Sequence, residues 1–139
     1  MFYIEGLQIA LPEHLEDIKL PAPELVNYWR LAENRIFYID YEIDESVLEI
    51  QRLIIAINIA DRDIKIEDRI PIKIYLDTPG GLLSETMSLA TTIVMSQTPV
   101  ITVNIAEAYS GGCLLLLAGY KRFAFPYSKA MLHTGSGGT

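Results

Sequence analysis

Three short motifs carry residue types able to do acyl-transfer chemistry: Thr78-Pro79-Gly80-Gly81, Ala108-Tyr109-Ser110-Gly111-Gly112 and Met131-Leu132-His133. A serine hydroxyl becomes a nucleophile once a base takes its proton, and an imidazole is suited to that task near neutral pH. Glycines let backbone N–H groups approach a developing oxyanion. Ser110 lies between the strand-like run from Val100 to Ala106 and the apolar run that begins Gly111-Gly112-Cys113. At the start of a helix, unpaired amides and the positive dipole end favour negative charge. Gly111 can therefore donate its own N–H, and Gly81 can supply a second donor. Each such donor typically contributes about 3 kcal/mol in the transition state. The same residues also fit a plainer account, with Ser110 as a helix N-cap, the glycines as turn formers and His133 as a hydrogen-bonded residue ending an apolar strand. Spacing alone leaves both accounts standing.

Other chemistries find less support. His14 stands among Glu13, Glu16 and Asp17 and reads as solvated. No Cys, His or carboxylate pair has metal-ligand spacing, so no metal is expected. Gly80-Gly81 lacks the Lys-Ser/Thr of a phosphate-binding loop and no G-x-G-x-x-G occurs, so no nucleotide or other cofactor is expected. Ala108-x-Ser110-x-Gly112 is similar to a variant nucleophile elbow, but that fold places an acid between serine and histidine. None of the 22 residues between Ser110 and His133 is acidic.

The elements that must position these motifs follow from pattern. Half of the 139 residues are apolar, enough for one sizeable core. The net charge of −7 argues against a general nucleic-acid or anionic-membrane binder. The longest apolar run, Cys113 to Ala118, is far too short to span a bilayer. A single cysteine and the lack of an opening charged and apolar leader make the cytoplasm the default location. Residues 1–34 read as an arm followed by a short helix near Glu24 to Glu33. Strands are predicted at 35–39, 72–77, 100–106, 122–125 and 130–133, and helices at 45–60, 82–97 and 110–118. Asp44 or Ser46 could cap the helix at 45–60. The charged stretch Asp61 to Arg69 reads as a solvated connector. Leu83 and Met87 fit either a substrate groove or core positions. Alternating strands and helices imply an α/β domain with a mostly parallel sheet, and ligands of such sheets bind beyond the carboxyl ends of the strands. Both glycine motifs follow strand ends, so one sheet edge is the predicted site.

All eighteen Asp and Glu lie at or before Glu107, so a carboxylate partner for His133 must come from upstream or from outside these residues. Asp77 shares a strand face with Lys73 and Tyr75, opposite Ile72, Ile74 and Leu76. It could stand in for that acid, although a salt bridge or a turn is the more ordinary use. The end Gly135-Ser136-Gly137-Gly138-Thr139 offers little to anchor, and the expectation is a truncated domain.

Taken together, the motifs resemble the Clp protease proteolytic subunit family within the ClpP/crotonase-like superfamily. The matching features are Thr78-Pro79-Gly80-Gly81, Ala108-Tyr109-Ser110, Leu114 to Gly119, Lys121-Arg122-Phe123-Ala124-Phe125-Pro126-Tyr127-Ser128 and Met131-Leu132-His133. The resemblance implies repeated β-β-α units with a mostly parallel sheet, a ClpP-like head at 35–139, Ser110 as nucleophile and His133 as general base. It also implies backbone donors at Gly81 and Gly111 and a substrate groove near Gly80 and Leu83. A serine endopeptidase acting on peptides and unfolded protein is implied, assembled as homo-oligomeric, heptameric rings beside a hexameric AAA+ unfoldase. Three departures stand out. The family's catalytic aspartate and ring-joining helix lie beyond His133, where this sequence has six more residues. Thr134-Gly135 replaces the usual Gln-Pro. Leu76-Asp77-Thr78-Pro79-Gly80-Gly81 and Ser110-Gly111-Gly112 lean towards the signal-peptide-peptidase branch, whose Ser-Lys dyad would require a lysine such as Lys129 but places it farther from the serine. An inactive or regulatory ring subunit and a Ser-Lys peptidase are the alternatives.

Overall fold

The structure, a computed structural model, describes residues 2–4, 7–9 and 22–133. It divides into two units, Met1–Arg30 and Leu31–Thr139. In the first, β1 (Phe2–Ile4) and β2 (Leu7–Ile9) pair antiparallel with Phe2 opposite Ile9. The sequence predicts only an arm here, because strands of three residues are too short to show a period. Helix α1 (Pro23–Glu33) opens with Pro23, whose missing N–H has no intrahelical partner to lose.

The second unit holds the predicted parallel sheet. Its strands are β3 (Ile36–Ile39), β4 (Ile72–Thr78), β5 (Val100–Tyr109) and β6 (Lys121–Ala124), in that spatial order, with β7 (Lys129–Met131) pairing β5 beyond the end of β6. Every pairing in this sheet is parallel. Crossovers run through α2 (Val47–Ala60), α3 (Leu83–Met95) and α4 (Gly111–Ala118). Right-handed crossovers in a sheet that grows in one direction set successive helices on one face. That face is the core: Val47, Ile50 and Ile54 of α2 and Leu89 and Ile93 of α3 bury against Phe37, Ile39, Ile72, Ile74 and Leu76. Burying each such side chain contributes about 1.5–3 kcal/mol. The opposite face of β4 carries Lys73, Tyr75 and Asp77, and Tyr75 stacks on Tyr38 at 5.1 Å.

Local details agree with composition or correct it. Asp44 Oδ1 accepts the Ser46 N–H at 2.8 Å, whereas the Ser46 side chain makes no cap bond. The connector is solvated only between its ends: Asp61 and Arg69 are 1% and 8% exposed. Arg35 reaches Asp61 through both terminal guanidinium nitrogens, at 2.7 and 2.8 Å, and the Thr98 hydroxyl donates to the same carboxylate at 2.8 Å. Arg69 donates to Thr98 Oγ1 and to the Ile64 carbonyl. Burial that would expel an isolated charge is offset by these bonds. Hydrogen bonding from Arg35, and secondarily from Thr98, holds the Asp61 carboxyl below the usual carboxylate range against the opposing effect of burial. Among the described residues no helix is long and apolar enough to cross a membrane.

Candidate active site

The two glycine motifs do meet at one edge of the sheet. At the end of β4, the Thr78 hydroxyl donates to the Tyr41 carbonyl at 2.7 Å and accepts the Gly80 N–H at 3.2 Å, which closes the Pro79-Gly80 turn. The turn bond considered for Asp77 is thus made by Thr78, and no ion pair of Asp77 occurs among the described residues. Ile43 N donates to Gly80 O at 2.8 Å and Leu82 N to Ile43 O at 3.0 Å, so an isolated parallel bridge extends the β3–β4 pairing past the turn. A side chain at Gly81 would collide with the Ile43 backbone. The bridge directs the carbonyl of Gly80 and the amide of Leu82 at Ile43, leaving the Gly81 N–H with no hydrogen-bond acceptor among the described residues.

Ser110 leaves β5 in a conformation that non-glycine residues rarely adopt, with φ 53° and ψ −116°. Its carbonyl accepts from Cys113 N at 3.0 Å and Leu114 N at 3.2 Å, while its side chain makes no cap bond. The helix accordingly starts at Gly111, one residue later than predicted, and the N-cap account of the Ser110 hydroxyl does not hold. A strained backbone at a polar residue is a pointer towards function. Gly80, at φ 100°, lies directly beneath this turn: a Cβ there would sit 2.9 Å from both Gly111 N and Tyr109 O and 3.0 Å from Ser110 Cβ. The Gly111 N–H also donates to no group among the described residues and stands at the positive end of α4.

His133 follows β7. In the β5–β7 ladder Tyr109 is level with Met131, and Ser110 N donates to Met131 O at 2.7 Å. Ser110 is therefore one residue past the end of β5 and His133 two residues past the end of its neighbour β7. His133 is exposed and Ser110 half-buried. Serine, histidine and both glycine amides thus gather at the carboxyl ends of β4, β5 and β7. Leu83 and Met87 are 66% and 47% exposed near the start of α3, which removes them from the core. Lys129 lies in β7 level with Glu107, at the far end of that strand from His133. Cys113 is buried in the first turn of α4. The glycine-rich end at 135–139 lies outside the described residues.

Sequence reasoning missed Ile43, and it named Thr78 as part of a motif without its part in shaping the glycine turn. For Thr78 a signal was present, a hydroxyl two residues before Gly80 that suits a side-chain turn. For Ile43, thirty-eight positions from Gly81, only the fold reveals the bridge.

A parallel sheet with this strand order and these turns defines the class, the ClpP fold: the chain is similar to the ClpP protease catalytic domain from Plasmodium falciparum with a TM-score of 0.68, at 21% identity over 86% of this chain and 65% of that one. The sequence agrees, since the profile of the Clp protease family matches residues 24–139 and the chain belongs to that family. It is also 32% identical over 114 residues to the ATP-dependent Clp protease proteolytic subunit 2 of Prochlorococcus marinus (strain MIT 9312), across 81% of this chain and 54% of that relative. The chain spans about half the length of that curated relative.

Proposed function

We propose that the chain is the proteolytic unit of a Clp-type protease, a serine endopeptidase that cleaves peptides and unfolded polypeptides through an acyl-enzyme. One observation carries this reading: the strained turn at Ser110 rests on Gly80 and is bonded through its own amide to the strand that leads to His133. In the reaction, His133 takes the hydroxyl proton as Ser110 Oγ attacks the scissile carbonyl carbon. The oxyanion is received by the N–H groups of Gly81 and Gly111. The imidazolium then protonates the leaving amine, and water, deprotonated by the same imidazole, hydrolyses the Ser110 ester. Leu83 and the backbone at Gly80 border the groove for the peptide.

Assembly into rings belongs to the same proposal. It draws support from β6, an edge strand whose four residues are all exposed, and from Tyr120, Phe123, Phe125 and Tyr127, which are exposed around it. The family name borne by the Prochlorococcus relative favours an ATP-driven unfoldase as partner. Residence in the cytoplasm is part of the proposal too, resting on the sequence.

Intact-mass labelling with a fluorophosphonate tests the chemistry. A single adduct on the wild-type chain, lost in Ser110→Ala and His133→Ala, is the expected result. Folded wild-type protein that takes up no adduct would overturn the assignment in favour of a non-catalytic ring subunit, and an adduct surviving in Ser110→Ala would displace the nucleophile. Retention in His133→Ala, with loss on substituting Lys129, would instead favour a Ser-Lys dyad.

A further inference from the structure

Asn104 is a residue that the sheet itself does not call for. It lies in the middle of β5 and is 1% exposed, although asparagine is disfavoured in strands. Its Nδ2 donates to the Lys129 carbonyl at 2.9 Å, while its Oδ1 is buried with no hydrogen-bond partner. An aliphatic side chain of similar shape would avoid the cost of that orphaned carbonyl. A reason for the amide must therefore lie in what Nδ2 holds.

Asn104 stands where the sheet changes partners. On one side it is level with Leu76, after which the β4–β5 register slips so that Thr78 faces Ala108. On the other side it is level with Ala124, the last residue of β6, and its carbonyl accepts the Phe125 N–H at 2.8 Å. The chain then loops out through Pro126, Tyr127 and Ser128, with Tyr127 at φ 67° and 99% exposed. It rejoins β5 as β7, with Lys129 level with Glu107. All three residues of β7 are exposed. Register is ordinarily fixed by a buried face, since a slip of one residue turns every side chain over. With none here, the bonds at the strand's two ends take that part: Ser110 N to Met131 O at one end and Asn104 Nδ2 to Lys129 O at the other.

We propose that Asn104 is a positioning residue that fixes the register of β7, and through it the placement of His133 beside Ser110. The catalytic part of this inference rests on the Ser110–His133 reading above. A slip of one residue would carry the base about 3.3 Å along the strand and reverse its side.

The test compares the wild-type chain with Asn104→Leu, which keeps the approximate shape but loses the donor and the orphaned carbonyl, and with Asn104→Ala, which cannot overpack. Three quantities are read: the melting temperature, amide hydrogen exchange at residues 129–132 against Ile74 in β4, and the pH profile of fluorophosphonate labelling. Expected for at least one folded variant are β7 exchange faster by tenfold or more with Ile74 unchanged, labelling slowed by tenfold or more, and loss of the His133-dependent limb of the pH profile. Exchange and labelling both unchanged would overturn the proposal, as would slower labelling with β7 exchange unaltered. Should the wild-type chain itself fail to label, the proposed activity falls, and exchange alone decides whether Asn104 sets the register: faster exchange in β7 supports it and unchanged exchange refutes it. Variants in which Ile74 and β7 lose protection together would show a general core role and also refute it.

Discussion

Gly80→Ala tests whether the two glycine motifs form one machine. The new Cβ would meet Gly111 N and Tyr109 O at 2.9 Å and Ser110 Cβ at 3.0 Å. Two of these three atoms are backbone and the third is fixed to it, so no side-chain rotation relieves the clash. Holding alanine at φ 100° adds backbone strain of about 1–3 kcal/mol. Overpacking contributes about 1–3 kcal/mol more, for a central value of about 4 kcal/mol. In a domain of this size that lowers the melting temperature by roughly 15 °C. The least costly relaxation is for the Ser110 turn to move away by a few tenths of an ångström, taking the Gly111 amide with it. A misplacement of about 1 Å can cost on the order of 100-fold, so the labelling rate should fall about tenfold even well below the variant's melting point. Gly119→Ala is the control. Its Cβ would collide with Thr102 Oγ1, and Gly119 sits at φ −63°, so the change destabilises by packing alone and at the far end of α4 from Ser110. Thermal unfolding and the second-order labelling rate are measured for both at a temperature where each is folded. Equal slowing in the two variants, or wild-type rates in Gly80→Ala, would refute the link between the glycine turn and the nucleophile.

Relief of strain should appear in Ser110→Gly: removing the side chain at φ 53° should stabilise by about 1 kcal/mol, net of the extra freedom glycine gains when unfolded, while abolishing labelling. A lower melting temperature in that variant would show that the turn is not strained. Arg35→Met should destabilise the domain at pH 7 by about 3 kcal/mol, because Asp61 loses both bonds from its guanidinium partner while remaining buried. Asp61 has a folded value held below its unfolded one, so its contribution is complete above about pH 4 and is lost as pH falls through the folded value. Urea unfolding from pH 7 to pH 3 should therefore show the gap between wild type and variant narrowing in acid, and a constant gap would refute the pairing.

Much of the fold was legible because two periods are explicit in the chain. Val47, Ile50 and Ile54 repeat as a buried helix stripe must, and Ile72, Ile74 and Leu76 alternate with Lys73 and Tyr75 as a half-buried strand must. What was not legible depends on contacts between distant segments. The strand predicted to end at Ala106 runs to Tyr109, because past the irregularity after Asn104 it finds a new partner in β7. Asp61 reads as solvated until Arg35, 26 residues earlier, is placed against it. The site shows the same division. Ser110, His133 and the glycines are chemically conspicuous residue types, and the sheet edge they share follows from strand polarity. Ile43, Thr78 and Asn104 act by holding backbone, a role that leaves little trace in residue type.

In the proposed site, such backbone contacts explain how an exposed histidine two residues past a three-residue strand can be kept in line with a serine. The Ser110 N–H is bonded to Met131 O, so the backbone of the proposed nucleophile is itself a rung between β5 and β7, the strand that leads to His133. A displacement of β7 is thereby transmitted to the serine, and one of Ser110 to β7, so that their relative placement is conserved better than the position of either. Gly80 resists movement of the same turn from the opposite side, and the bonds from Cys113 and Leu114 to the Ser110 carbonyl resist rotation of its peptide. The strained φ is over-determined by these independent contacts, which is the condition under which strain persists. It also sets the Gly111 amide at the start of α4, so that in the proposed reaction its orientation towards an oxyanion would cost little reorganisation.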